Sequence, residues 1–444
     1  MLKVIQMLSV CLRGWGTFVT TYKLSDRYTA SIPNGTARTV NRLVRLAPVL
    51  LAISVISRFV WAFVTPNGMN LVDLHVYVEG SAALLGDNLY DYTYSVQTPD
   101  FPLPFTYPPF AALVFFPLHY LPFTLVGVVW QAATMIALFA VVRLTLSMVL
   151  GDDRAAEPRW VRIAMLWTAL GLWSEPVRTT LDYGQVNVFL VLLAILAVRS
   201  SRWWVAGGLV GFAAGIKLTP AITGLYFLAT RRWKAAAFSA VAFAITVALS
   251  YAVLGHQAAT YFTTLLGDAD RIGPVGSVWN QSLRGALSRI VGEDVGQGPL
   301  WIVAAVVAAG LAVAAWRAID RRDHLGILVI VQLFGLLVSP ISWSHHWIWV
   351  IPMVIWLVHG PLRDVAGAKF VACYWLVTVT VGVPWLLSFF QESIWTIPRP
   401  AFEAWAGAVD VIGSVLFLGW VAYAGRINSR SVRRSDAPDP HPSA

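Results

Sequence analysis

Charge is scarce in this chain. Only 12% of its 444 residues are Asp, Glu, Lys or Arg, about half the share found in soluble domains. With 57% hydrophobic residues, a water-soluble fold of this size has too little polar surface to cover its apolar content. That excludes a soluble enzyme and makes the bilayer the natural solvent. Cysteine is nearly missing as well. Cys11 lies in a polar N-terminal stretch and Cys373 in an apolar run, so no disulfide framework is expected. Phosphate-cradling loops are absent: there is no G-x-x-x-x-G-K-[ST], and no G-x-G-x-x-G after a strand. A lipid-borne donor is therefore more natural than a soluble nucleotide. Acidic residues fall short of basic ones, 23 against 32, for a net charge of +9. The excess is spread over short loops, so it reads as membrane topology rather than a nucleic-acid surface. Met1 to Ser9 lacks the ordered regions of a cleavable signal peptide.

What the chain does have is a succession of apolar runs punctuated by arginine. The first, Leu46 to Val64, is long enough to cross a hydrocarbon core of about 30 Å. Arg38, Arg42 and Arg45 precede it and place its start in the cytoplasm. Further basic loops follow at Arg154–Arg162, Arg199–Arg202, Arg231–Lys234 and Arg317–Arg322, and at Arg426–Arg434. Their alternation predicts an all-α polytopic fold with about twelve crossings and both ends inside. Residues 1–45 read as a cytoplasmic tail, 46–425 as the transmembrane catalytic domain and 426–444 as a disordered cytoplasmic tail. Trp204–Ile216 and Leu218–Thr230 are short for full spans and predict a hairpin with Lys217 at its tip. Gly207, Gly211 and Gly215 form a small-residue stripe suited to close helix packing.

The chemistry-bearing residues fall on the outer side. "NLVDLHVYVEG" carries Asp73, His75 and Tyr77, and "FPLPFTYPPF" carries Tyr107. "SEPVRTTLDYGQVN" adds Asp182, Tyr183, Gln185 and Asn187, and "AGIKLTP" adds Lys217. "GDADRIGPVGSVWNQSLRG" supplies Asn280, Gln281 and Arg284, and "SPISWSHHWIW" supplies His345 and His346. Each has a plainer reading. Asp73 can cap a helix beginning near Leu74. Asp182 can fix the turn before Gly184. Lys217 can snorkel to the interface, although an unpaired ammonium there is costly, with a lipid phosphate or Asp182 as its partner. Adjacent histidines do not share a helix face, which argues against a metal. Asn280-Gln281-Ser282 matches a glycosylation sequon that has many chance matches. Taken together, a carboxylate base, cations for a leaving phosphate and aromatic faces for a sugar suit group transfer between lipid-linked substrates. A transporter or lipid flippase is the competing class. Its polar groups would sit near the midplane, often with an internal repeat, and no repeat is visible here.

These segments, with "TLDYGQVNVFLVLL", "AAGIKLTPA", "NQSLRG" and "LVSPISWSHHW", occur in an order that resembles the actinobacterial C-type glycosyltransferases of family 87. The resemblance spans roughly Leu46 to Tyr423. It implies the C-type glycosyltransferase (GT-C) fold in the plasma membrane, with the active site facing the periplasm. It also implies a polyprenyl-phosphate-mannose donor, a mannosylated phosphatidylinositol acceptor among the membrane lipids, and no nucleic acid. Inverting α-1,2-transfer without a metal would be catalysed by Asp73. Branching of lipomannan and arabinofuranosyl transfer are neighbouring activities that the physics of the sequence does not separate from it.

Overall fold

In lipid, a backbone must satisfy its own N–H and C=O groups, so uncharged apolar runs fold as helices. The computed structural model describes residues 34–64 and 70–435, with side chains for 39–64 and 70–428. Cys11, most of the expected N-terminal tail, Pro66 and the end of the C-terminal tail lie outside the described residues. Among the described residues the chain is helical apart from loops and one two-residue antiparallel pair, Thr93–Tyr94 with Leu103–Pro104.

The apolar runs of the sequence fall mostly on helix. Five helices are long and apolar enough to span a membrane: Thr39–Val64, Phe123–Leu150, Trp233–Leu254, Pro299–Ala318 and Val409–Asn428. Their outer faces are apolar and exposed, as at Ile53, Ile56, Val60, Val303, Val306 and Val307. This is the surface that lipid covers. Other apolar helices are shorter, including Trp203–Ile216, His324–Val338 and Ala368–Val381. The pair Glu175–Tyr183 and Asn187–Arg199 is one broken element bent by 118°. The sequence-expected tail boundaries at 45 and 426 are not structural breaks. The first helix already runs from Asn34, and the last continues to Ser435, because nothing in the flanking sequence stops a helix there.

The interior falls into two parts. The larger packs the membrane helices around Trp160, Trp356 and Trp375. The smaller joins the segment between the first two long helices (residues 70–121), through Leu74, Tyr77, Phe105 and Tyr107, to helix ends at Val186, Leu190 and Ile216. That segment is thus seated on the places where membrane helices break.

The glycine stripe sets one of those places. Gly207, Gly211 and Gly215 lie against the Trp233–Leu254 helix. A Cβ on Gly211 would sit 2.5 Å from the Ala242 Cβ and 2.6 Å from the Ser239 carbonyl oxygen. Because two backbones meet there, the contact cannot relax by a rotamer change. Gly211→Ala is expected to cost about 1–3 kcal/mol through overpacking. Gly224→Ala, which meets nothing within 4 Å, serves as the control. Thermal unfolding of the detergent-solubilised variants checks this; equal melting of the two variants would remove the packing role.

Candidate active site

Asp73 is placed by helix periodicity. Its helix runs Val72–Ser81, so Asp73, Val76 and Tyr77 share a face. Asp73 is not the N-cap. That position is held by Leu71, in the left-handed region at φ 50°, with no side-chain cap hydrogen bond. Asp73 instead occupies the first turn, where the helix dipole favours a carboxylate.

The facing wall comes from the break after Tyr183. Gly184 adopts φ +71° and closes a Schellman motif. Its N–H donates to the Leu181 carbonyl (3.3 Å), and the Gln185 N–H donates to the Thr180 carbonyl (2.9 Å). A side chain at Gly184 would fall 2.6 Å from the Leu74 Cβ, so only glycine lets the two segments approach. The turn delivers Gln185 as a buried hub. Its Oε1 accepts from the Tyr77 hydroxyl (2.8 Å) and from Lys217 Nζ (3.2 Å), and its Nε2 donates to the Tyr107 hydroxyl (3.3 Å).

Lys217 enters at the next break. The Trp203–Ile216 helix ends, and Lys217 turns extended at φ −149°, ψ 130° ahead of Pro220. Lys217 as a whole is 9% exposed. Its ammonium lies 3.0 Å from Asn187 Oδ1 and 3.0 Å from His346 Nε2, and 5.7 Å from the Tyr107 ring centre. A third break follows the His324–Val338 helix at Pro340 and leads into the His345–His346 turn. The Asn187 amide holds that turn through the His345 carbonyl (2.8 Å).

These breaks enclose a cavity of about 510 Å³ lined by Asp73, Tyr107, Tyr183, Gln185, Lys217, His345 and His346. Burial pushes the Asp73 carboxyl up to about 6, against the Gln185 hydrogen bond and the Lys217 charge, which pull it down. Burial lowers the Lys217 ammonium to about 8, with the Asp73 charge opposing. A carboxylate able to take a proton therefore faces a cation able to receive an anion, inside walls of Tyr, Trp and Pro. Wall residues that the sequence reading did not single out include Trp279 and Trp343. The position of Trp343, beside the His pair and just after a proline break, was the available signal.

Other expected site residues do not line the cavity. His75 lies two positions from Asp73, off its helical face. Its Nδ1–H donates to Glu79 Oε1 (2.5 Å), and its ring stacks on Tyr94 and Phe123. Tyr77 is fully buried behind the wall and reaches the site only through Gln185 and Tyr107. Asn187 supports Lys217 from below. Asp182 pairs with Arg58, not with Lys217. Arg284 forks onto Asp294 (3.0 and 2.6 Å), with Asp270 at 3.7 Å. Its position beside an acidic loop, not evident in one dimension, uses up its charge. Gln281 braces Val278 and Gly407 through its amide N–H groups, at 2.7 Å each.

Asn280 is fully buried, which rules out the sequon as an accessible acceptor in the folded chain. Its Oδ1 accepts from the Ser342 N–H (3.0 Å) and the Ser282 N–H (3.2 Å), joining the Val275–Arg284 loop to the segment before the histidines. Asn280→Ala orphans two buried amides and is expected to cost about 1–3 kcal/mol. A thermal unfolding curve unchanged from the parent would contradict this bracing role.

Comparison with known proteins adds the chemical context. The glycosyltransferase family 87 model matches residues 105–340. The polyprenol-phosphate-mannose-dependent α-(1-2)-phosphatidylinositol pentamannoside mannosyltransferase of Mycolicibacterium smegmatis is 56% identical over 386 residues, covering 86% of this chain and 92% of that protein. The protein of the same description from Mycobacterium tuberculosis is 53% identical over 402 residues, covering 90% and 92%. A polyprenol-phosphate-mannose-dependent α-(1-2)-phosphatidylinositol mannoside mannosyltransferase of M. tuberculosis is 34% identical over 313 residues, covering 67% and 73%. No solved structure matches the chain.

Proposed function

The chain belongs to glycosyltransferase family 87, and from that premise we propose that it moves mannose from polyprenol-phosphate-mannose onto a phosphatidylinositol mannoside, forming an α-1,2 linkage. The acceptor series we assign is the tetramannoside to the pentamannoside and beyond. The observation that carries this reading is the meeting of Asp73 and Lys217 in one cavity at broken helices, in a chain so similar to enzymes of that description. The cavity belongs to the outer face of the plasma membrane. The Asn187–Arg199 helix has Asn187 at the cavity end and Arg199 at the other. The Trp203–Ile216 helix has Lys217 at the cavity end and Arg202 opposite. That polarity supports a cytoplasmic basic side and a periplasmic site, as the positive-inside rule requires. About twelve crossings remain the best count, with the shorter helices completing the bundle.

The reaction is a single displacement. The 2-hydroxyl oxygen of the acceptor mannose attacks the anomeric carbon of the donor. The bond between that carbon and the phosphate oxygen breaks, and polyprenyl phosphate leaves with the electron pair. The hydroxyl proton passes to the Asp73 carboxylate. Attack opposite the leaving group turns a β-linked donor into an α-linked product. One carboxylate is enough, because phosphate is already a good leaving group and needs cationic support rather than a general acid. Lys217 supplies that support, held by Gln185, Asn187 and His346. Tyr183, Trp279 and Trp343 offer faces for the sugars.

The test uses purified enzyme with polyprenol-phosphate-mannose and the phosphatidylinositol tetramannoside. The parent is expected to form the α-1,2-linked pentamannoside. Asp73→Asn keeps the shape and removes the basicity, so it should melt like the parent while turnover falls about 10²- to 10⁴-fold. More than about a tenth of parental turnover in that variant would assign the base elsewhere.

A further inference from the structure

The Asp73 helix starts from a backbone that its own sequence does not favour. Leu71 sits at φ 50°, ψ 31°, a left-handed conformation that branched, bulky residues avoid. Something must hold it. Its N–H donates to the Asp182 carbonyl oxygen at 2.8 Å, and its own carbonyl accepts from the His75 N–H at 2.9 Å. Asp182 lies in the last turn of the Glu175–Tyr183 helix, where carbonyls lack intrahelical donors. The Schellman turn occupies the carbonyls of Thr180 and Leu181, and Gln131 adds a second donor to Leu181. The Asp182 carbonyl is left for Leu71. The start of the Asp73 helix is therefore tied to the Glu175–Tyr183 helix through one backbone atom of Asp182.

The Asp182 side chain points the other way, onto Arg58. Arg58 belongs to the first membrane-spanning helix and is 2% exposed. A cation there is costly and marks a function for which a partner must exist. Its helix face continues the anchorage. The Ser54 hydroxyl donates to the Ala169 carbonyl (2.9 Å) and accepts from the Trp173 indole (2.9 Å), and Arg58 lies over the Trp173 ring at 5.6 Å. Asp182 does not line the cavity, so neither member of the pair can touch the substrate directly.

We infer that Arg58 is a positioning residue for sugar transfer: by holding the Asp182 carboxylate it fixes the Leu71 amide, and so the direction in which Asp73 meets the acceptor hydroxyl. This rests on Asp73 being the base. The pair ties the outer end of the first membrane helix to the reacting atoms through one ion pair and one backbone hydrogen bond. Misplacement by about 1 Å can cost 10²-fold in rate without loss of binding.

The experiment measures kcat, donor KM and melting temperature of the full-length enzyme in detergent. The variants are Arg58→Met, Arg58→Lys, Asp182→Asn, Arg58→Met with Asp182→Asn, and Asp73→Asn. Arg58→Met and Asp182→Asn are expected to lower kcat per folded molecule about 10- to 100-fold, with donor KM within about twofold of the parent. Arg58→Lys, which keeps the cation, should recover part of the loss. The double variant should be no slower than the slower single variant, because both act through one contact. A purely structural pair would instead lower melting temperature and yield while leaving kcat per folded molecule unchanged. That result, with Asp73→Asn inactive, would overturn the inference and leave the base assignment standing. An active Asp73→Asn would overturn both. If Arg58→Met fails to fold, the isosteric Asp182→Asn decides the matter alone: parental kcat refutes the positioning role.

Discussion

Everything at this site depends on gathering a carboxylate and a buried ammonium into one cavity where helices break. Either alone would be neutralised by desolvation, since burial raises one and lowers the other. Together, each pulls the other back toward its charged form. A buried pair is expensive unless its remaining donors and acceptors are filled. Here Asn187 and His346 fill those of Lys217. The charge left on each group suits the proposed reaction: a proton acceptor on one wall and an anion receptor on the other.

The fold meets this requirement by interrupting helices. A continuous apolar helix has no spare polar groups to offer, because its backbone bonds are internal. Each interruption frees them at a chosen level. Gly184 reverses one chain and sets Gln185 inward. Lys217 leaves its helix in an extended conformation. Pro340 ends another helix ahead of the histidines. The outer segment, packed through Leu74, Phe105 and Tyr107, then closes over these ends and brings Asp73 down onto them. The membrane helices need no polar machinery of their own beyond what anchors these breaks. Arg58 is such an anchor.

Much of the cavity was legible in one dimension, because its residues sit where apolar runs stop. Asp73, Tyr107, Tyr183, Gln185, Lys217 and the two histidines all flank helix ends, and such ends are visible as Gly, Pro or charge in an apolar chain. What was not legible depends on pairing across long separations. Arg284 looked like a phosphate ligand until Asp294 lay beside it. Asp182 looked like a substrate group or a partner for Lys217, while its actual partner, Arg58, is hidden in the first apolar run. His75 was readable in principle. Once a helix is expected from near Leu74, a residue two positions from Asp73 must leave its face. Asn280 and Gln281 are polar because loops need bracing, a role that composition cannot distinguish from ligand binding.

The most direct test is the pH dependence of kcat/KM, measured for the parent and for Lys217→Met. With Asp73 as the base, the parent should lose activity as pH falls through about 6, where the carboxyl takes up its proton. It should lose activity again above about 8, where the ammonium loses its proton. Removing the cation removes an attraction that lowers the Asp73 value, so in Lys217→Met the acid limb should move to higher pH and the alkaline fall should disappear. An acid limb that stays in place in Lys217→Met would mean that the titrating base does not lie in the field of Lys217, and the pairing of these two residues would not be the basis of catalysis.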